Sequence, residues 1–252
     1  MKPAFQSGFT LIEMAMVLMI VGLLLGGMLV PLSAQMDQRN NSDTQKALSD
    51  IKEALIGYAI ANGRFPCPAS STSYGVENFA SSGGSAANGN CSNFYNGFVP
   101  ASTLGITSTV DNLGNTGFAV DSWGNRIHYA VTSWNSSSPA LNDVFTTTNG
   151  MKTVGMASLA PNLLVCSSST ASGFGSSSCG TNNALTSSPG VPVVIFSTGK
   201  NGPNSGGPDE AANLANNITF VSHTPTPTFN DLVVWISPNI LFNRMVAAGT
   251  LP

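Results

Sequence analysis

Few residues in this 252-residue chain have types and spacing that could do chemistry. Glu13 heads a run, Met14 to Met36, that contains no charged side chain. A carboxylate at the edge of such a run is costly unless it finds a partner, so its chemistry is charge pairing. Asp209 and Glu210 are neighbouring carboxylates closing the glycine-rich stretch 198–210. Oxygens of that kind suit a hard cation such as Ca²⁺, which takes about six to eight of them; the alternative is a plain turn-rich loop. Cys67, Cys91, Cys166 and Cys179 include no Cys-x-x-Cys, and His128 and His223 lie far apart, so zinc spacing is absent. Nothing reads as catalytic. Gly-x-Ser-x-Gly is missing, Gly199-Lys200 is followed by Asn201 rather than a hydroxyl residue, and adjacent carboxylates do not oppose each other across a substrate. No basic stripe invites nucleic acid; the net charge is −3.

The sequence immediately before Glu13 is specific. Ser7-Gly8-Phe9-Thr10-Leu11-Ile12-Glu13, followed by a long apolar run, resembles the processing site of type IV prepilins and of the pseudopilins of type II secretion. The resemblance implies cleavage after Gly8 by a membrane-embedded prepilin peptidase, which then methylates the new amine of Phe9. It also implies that Glu13 neutralises a neighbouring subunit's terminal amine when helices stack. The expected partners are homologous pilin or pseudopilin subunits, the peptidase and an inner-membrane assembly platform. A second stretch, Asp121-Ser122-Trp123-Gly124-Asn125, is similar to the Asp-Pro-Trp-Gly-Asn turn of the major pseudopilins, with Ser122 in place of proline. Those proteins also carry calcium in a loop near the C-terminus, which by resemblance points to Ca²⁺ at Asp209 and Glu210. Lys200 and Asn201 depart from the more acidic entry of that loop.

Elements must position these residues. A leader at 1–8 precedes a transmembrane and assembly helix at 9–32, long enough for a bilayer core that needs about 20 helical residues. Lys2, with no other basic residue before Arg39, orients the N-terminus inside. The chain is then single-pass in the inner membrane, its head in the periplasm, and later in a periplasmic or extracellular filament. Past Pro31, which should kink the helix rather than end it, 33–63 continues as an amphipathic helix. Ala47, Leu48, Ile51, Leu55, Tyr58 and Ala59 recur at helical spacing on it, and Asn62-Gly63 stops it.

Residues 64–252 form a globular head with long loops. In an oxidising compartment its cysteines form disulfides, and proximity favours Cys67 with Cys91 and Cys166 with Cys179 among the three pairings. A strand should start at Arg126, with Ile127, Tyr129 and Val131 on one face and His128 exposed on the other, a ligand role being the alternative. Residues 191–197 read as a central strand. Residues 154–165 are apolar without a clear period. Ile218–Val221 and Leu232–Ile236 read as an antiparallel hairpin with a wide loop, and Ser237-Pro238 opens a terminal helix on which Leu241, Met245 and Ala248 form the apolar stripe. The fold class is α+β: a long N-terminal helix, transmembrane then amphipathic, packed on a mainly antiparallel sheet. The function these readings imply is a structural subunit of a pilus-like or pseudopilus filament. A minor pilin acting in adhesion or DNA uptake is the alternative, and a membrane-anchored hydrolase a more distant one.

Overall fold

The computed structural model describes residues 8–106, 110–133, 143–203 and 206–251, with backbone alone for 25–33. The chain divides into two compact units, Met1–Ser42 and Asp43–Pro252. One helix, α1 (Leu11–Asn62), contributes to both and continues through Pro31. In the first unit every described side chain from Gly8 to Leu24 is exposed, including Leu11 at 91% and Met19 at 72%.

In the second unit α1 behaves as its spacing predicts. Leu48, Ile51, Leu55, Ile56 and Ala59 are buried, three and four residues apart, and make one stripe. The helix stops because Gly63 takes a left-handed conformation, φ +63°, and donates its N–H back to the Ala59 carbonyl at 2.8 Å. A side chain at Gly63 would also collide with Asn149, whose Cα lies 2.8 Å from where a Cβ would sit. Just beyond, buried Arg64 makes a two-pronged ion pair with Glu77, both contacts 2.8 Å. Glu77 also accepts the Cys67 amide at 3.2 Å, fastening the helix end to the loop closed by the Cys67–Cys91 disulfide.

The sheet has four antiparallel strands in the order β1 (Gly97–Phe98), β2 (His128–Val131), β6 (Val193–Ser197) and β8 (Leu232–Ile236). As expected, β6 is central and wholly buried. Ile127, Tyr129, Val131, Val193, Ile195 and Ile236 share a core with the α1 stripe and with the terminal helix α5 (Pro238–Ala247). On α5 the buried residues are Leu241, Phe242 and Met245, while Ala248 is exposed at the helix's end.

The opposite face of the sheet differs from the sequence expectation. A second layer covers it, a parallel pair formed by β3 (Leu164–Cys166) and β7 (Thr219–Val221). Ala130, Val194 and Phe196 pack there with Leu163, Val165, Val191 and Phe220. Two expectations are corrected by this layer. His128 is buried, 7% exposed, because the face that alternation assigns to solvent has a cover. β7 and β8 are not a hairpin: β7 pairs with β3 in the cover and β8 with β6 in the main sheet. The apolar patch at 154–165 resolves into the end of α3 (Gly150–Val154), a short 3-10 turn, and β3. The Cys166–Cys179 disulfide joins the end of β3 to a small hairpin of β4 (Phe174–Gly175) and β5 (Ser178–Cys179), and no cysteine is free among the described residues. Between β1 and β2 lies a four-residue helix, α2 (Ala101–Leu104), and a further helix, α4 (Pro208–Leu214), precedes β7.

Candidate functional site

At the start of α1, Thr10 and Glu13 form a reciprocal cap. The Thr10 hydroxyl accepts the Glu13 amide at 3.3 Å, while Glu13 Oε2 accepts the Thr10 amide at 2.8 Å and its hydroxyl at 2.9 Å. This is the Thr-x-x-Glu capping box, which satisfies amides that a helix start otherwise leaves without partners. A recess of about 310 Å³ lies among Gly8, Phe9, Thr10 and Glu13. The carboxylate is thus held three residues into the helix, beside the Gly8–Phe9 bond. Among the described residues no helix is long and apolar enough to cross a membrane. The expected span at 9–32 includes 25–32, whose side chains lie outside the described residues.

Asp209 and Glu210 are not in a loop. They occupy the first turn of α4, where Pro208 presets the helix and acidic side chains complement the helix dipole. Their carboxylates take separate sets of donors. Asp209 Oδ1 accepts the Ser169 amide and hydroxyl, at 2.5 and 2.6 Å, and Oδ2 meets His223 Nε2 at 3.1 Å. Burial would raise the Asp209 pKa, but the Ser169 and His223 contacts outweigh it and hold the group below its ordinary range. Glu210, 2% exposed, accepts the Gly206 amide at 2.5 Å and the Asn230 amide at 2.7 Å. Each carboxylate is thus already engaged by amides or hydroxyls of its own surroundings. No group of three or more His, Cys, Asp or Glu among the described residues could hold a metal. Residues 204–205 of the same stretch lie outside the described residues.

The Ser169–Asp209–His223 cluster is not a nucleophile relay either. The serine hydroxyl donates to the carboxylate rather than to the imidazole, and His223 Nδ1 is already engaged by the Thr224 carbonyl at 2.8 Å.

The expected turn at Asp121–Asn125 is present, held by its own hydrogen bonds, and it has a twin that the sequence reading passed over. Asp111-Asn112-Leu113-Gly114-Asn115 repeats Asp-x-x-Gly-Asn ten residues earlier. In each turn the aspartate Oδ1 accepts the amides two and four residues on: 2.9 and 2.7 Å from Asp111, 2.9 and 2.8 Å from Asp121. The glycines match too, at φ +81° and +83°. The first turn reads the second directly. The Asn112 amide donates to Gly124 O at 3.0 Å, and its side chain donates to Trp123 O at 2.9 Å. From the second turn, Asp121 Oδ2 accepts the Ser197 hydroxyl at 2.6 Å, and Asn125 Nδ2 donates to Gly199 O at 2.8 Å. Buried Thr44 on α1 accepts the Ser122 amide at 3.1 Å, the position where proline would have removed that donor. The repeat itself was the signal that could have found the first turn.

With this geometry in view, comparison with known proteins bears on the N-terminus. Residues 4–29 match the family described as the prokaryotic N-terminal methylation motif, so the chain carries that motif around Gly8 and Phe9. The chain is also similar to the type II secretion system core protein G of Aeromonas hydrophila, 41% identical over 69 residues. That region is 26% of this chain and 46% of the relative, so the chain spans about half the length of the curated relative it matches. No solved structure matches the chain.

Proposed function

We propose that this protein is a structural subunit of a type IV pilus-like or type II secretion pseudopilus filament, cut after Gly8 and assembled through its N-terminal helix. The observation that carries the reading is the coincidence, in one segment, of the methylation motif and an apolar helix exposed at every described position from Gly8 to Leu24. A continuous apolar surface of that extent needs lipid or other helices around it. Moving such a helix from lipid to neighbouring helices gains little from hydrophobicity, so specificity falls to packing and polar pairing, the part assigned to Glu13. The partners are further pilin or pseudopilin subunits, the prepilin peptidase that frees Phe9, and an inner-membrane assembly platform. The subunit waits in the inner membrane with its head in the periplasm before entering the filament. The secretion assignment is supported by the similarity to core protein G and by the Trp123-Gly124-Asn125 turn.

Gly8→Ala is expected to leave an uncut precursor, heavier by the leader, on immunoblots of membranes. Glu13→Ala is expected to insert in the membrane normally and to be lost from sheared filaments. Normal filament recovery from Glu13→Ala would count against the pairing role, and cleavage of Gly8→Ala at the wild-type rate against the processing site.

A further inference from the structure

We propose that the head carries a small-ligand site framed by the two Asp-x-x-Gly-Asn turns, and that it takes a neutral aromatic group bearing one hydroxyl, the chemistry of a phenol or a tyrosine side chain. The site is a pocket of about 350 Å³ at the edge of the covered sheet face. Pockets of about 300 Å³ and upward are of ligand-binding size. Leu113 and Gly124 come from the two turns, Phe98 and His128 from β1 and β2, and Thr198 from the end of β6. His128 pairs with Phe98 on one side and Phe196 on the other in strand register, so all three side chains share the face that β3 and β7 cover farther along. The cover does not reach Leu113, which is 79% exposed.

Two features select the ligand. The pocket has no net charge to offer. Arg126, which also lines it, is closed on Asp111 at 2.5 Å and stacked over Phe118 at 3.9 Å, and burial drives the His128 pKa down to about 4, so the imidazole is neutral. A charged ligand would lose its water without gaining a counter-charge.

The second feature is a pair of polar atoms left without partners. His128 Nδ1 and Thr198 Oγ1 are buried and make no hydrogen bond, although their residues, 7% and 2% exposed, both line the pocket. Buried polar groups are nearly always satisfied, and two lapses at one pocket call for an explanation. A neutral imidazole offers a lone pair on one nitrogen and the threonine hydroxyl can donate or accept, so an incoming hydroxyl can serve both. The ring faces of His128 are already taken, by Phe196 at 4.7 Å and Phe98 at 4.9 Å, leaving its edge to engage a ligand. The turns are fixed by their own hydrogen bonds, so the pocket is organised before anything enters.

The test titrates the full-length protein in detergent with p-cresol, with toluene as the same ring lacking the hydroxyl and N-acetyltyrosinamide as the peptide-borne source. Chemical shifts of the Leu113 methyls and the His128 ring are the readout. Saturable shifts are expected with p-cresol, with toluene binding roughly ten- to thirtyfold more weakly, the worth of about two hydrogen bonds. Saturation by N-acetyltyrosinamide identifies a tyrosine-bearing partner as the source, and saturation by p-cresol alone identifies a free phenol. Thr198→Val should weaken p-cresol part of the way to toluene, the His128 bond remaining, and leave the melting temperature equal or higher, since the hydroxyl it removes has no partner. No saturable shift at either residue, or equal binding of p-cresol and toluene, overturns the proposal.

Discussion

Glu77 shows how much can rest on one side chain. It receives both prongs of Arg64, the Cys67 amide and, at 3.5 Å, the Tyr58 hydroxyl. Glu77→Ala leaves the buried guanidinium unpaired, and should lower unfolding free energy by about 3–5 kcal/mol in a denaturant titration. Asp231 and His128 act on stability through pH. Burial raises the Asp231 pKa to about 7, the Asn213 amide opposing and the Glu210 charge reinforcing. Because the unfolded group ionises near 3.8, Asp231 favours the folded state at low pH, and that benefit is lost as pH rises from about 4 to 7. His128 acts in the opposite sense. Its ordinary pKa of 6.5 falls to about 4, so the unfolded chain takes up a proton first and stability drops as pH falls from 6.5 to 4. The two slopes oppose each other in wild type. Asp231→Asn should therefore be the more stable form at pH 8, by about 4 kcal/mol on roughly 1.4 kcal/mol per pKa unit, and lose that advantage by pH 4. A melting-temperature series across that range checks the crossover.

At the scale of elements, the twin turns permit a paired comparison. Gly114 and Gly124 have nearly the same positive φ, but a Cβ at Gly114 meets nothing within 4 Å, whereas one at Gly124 would sit 2.2 Å from Asn112 Oδ1. Gly114→Ala should cost about 1 kcal/mol, the backbone penalty alone. Gly124→Ala should cost clearly more, because it also pushes Asn112 off the Trp123 carbonyl. Equal losses in thermal unfolding would show that the turns do not interlock.

The same elements mark what was legible in the sequence. The α1 stripe, its glycine stop and the central strand β6 were readable because local periodicity and backbone chemistry decide them. Alternation along β2 gave the correct partition of Tyr129 from His128, but it carries no information on whether a second layer lies over the far face. That depends on β3 and β7, nearly a hundred residues away from β2 in the case of β7, and their pairing is a tertiary fact. Placing Asp209 and Glu210 in a loop missed a local signal, since proline followed by two acidic residues is a helix start.

For the whole molecule, two disulfides close segments of 24 and 13 residues in a chain of which only 8% of the residues are charged. Loop-closure entropy gives each bond about 3 kcal/mol, slightly more for the longer loop. Cys67→Ser with Cys91→Ser should therefore lower stability more than Cys166→Ser with Cys179→Ser, the first pair also loosening the anchorage of Glu77. Comparing denaturation midpoints of the two double variants checks the order. The capping box has a consequence for the proposed filament as well. Glu13 already holds its own Thr10, so a lone subunit in lipid is not a bare anion in search of any cation. In the proposed filament a neighbour's amine has to win the carboxylate from the amide and hydroxyl of Thr10, held at 2.8 and 2.9 Å. Recruitment is then an exchange of neutral donors for a charged one, and the energy of joining is the difference between the two rather than the whole of the ion pair.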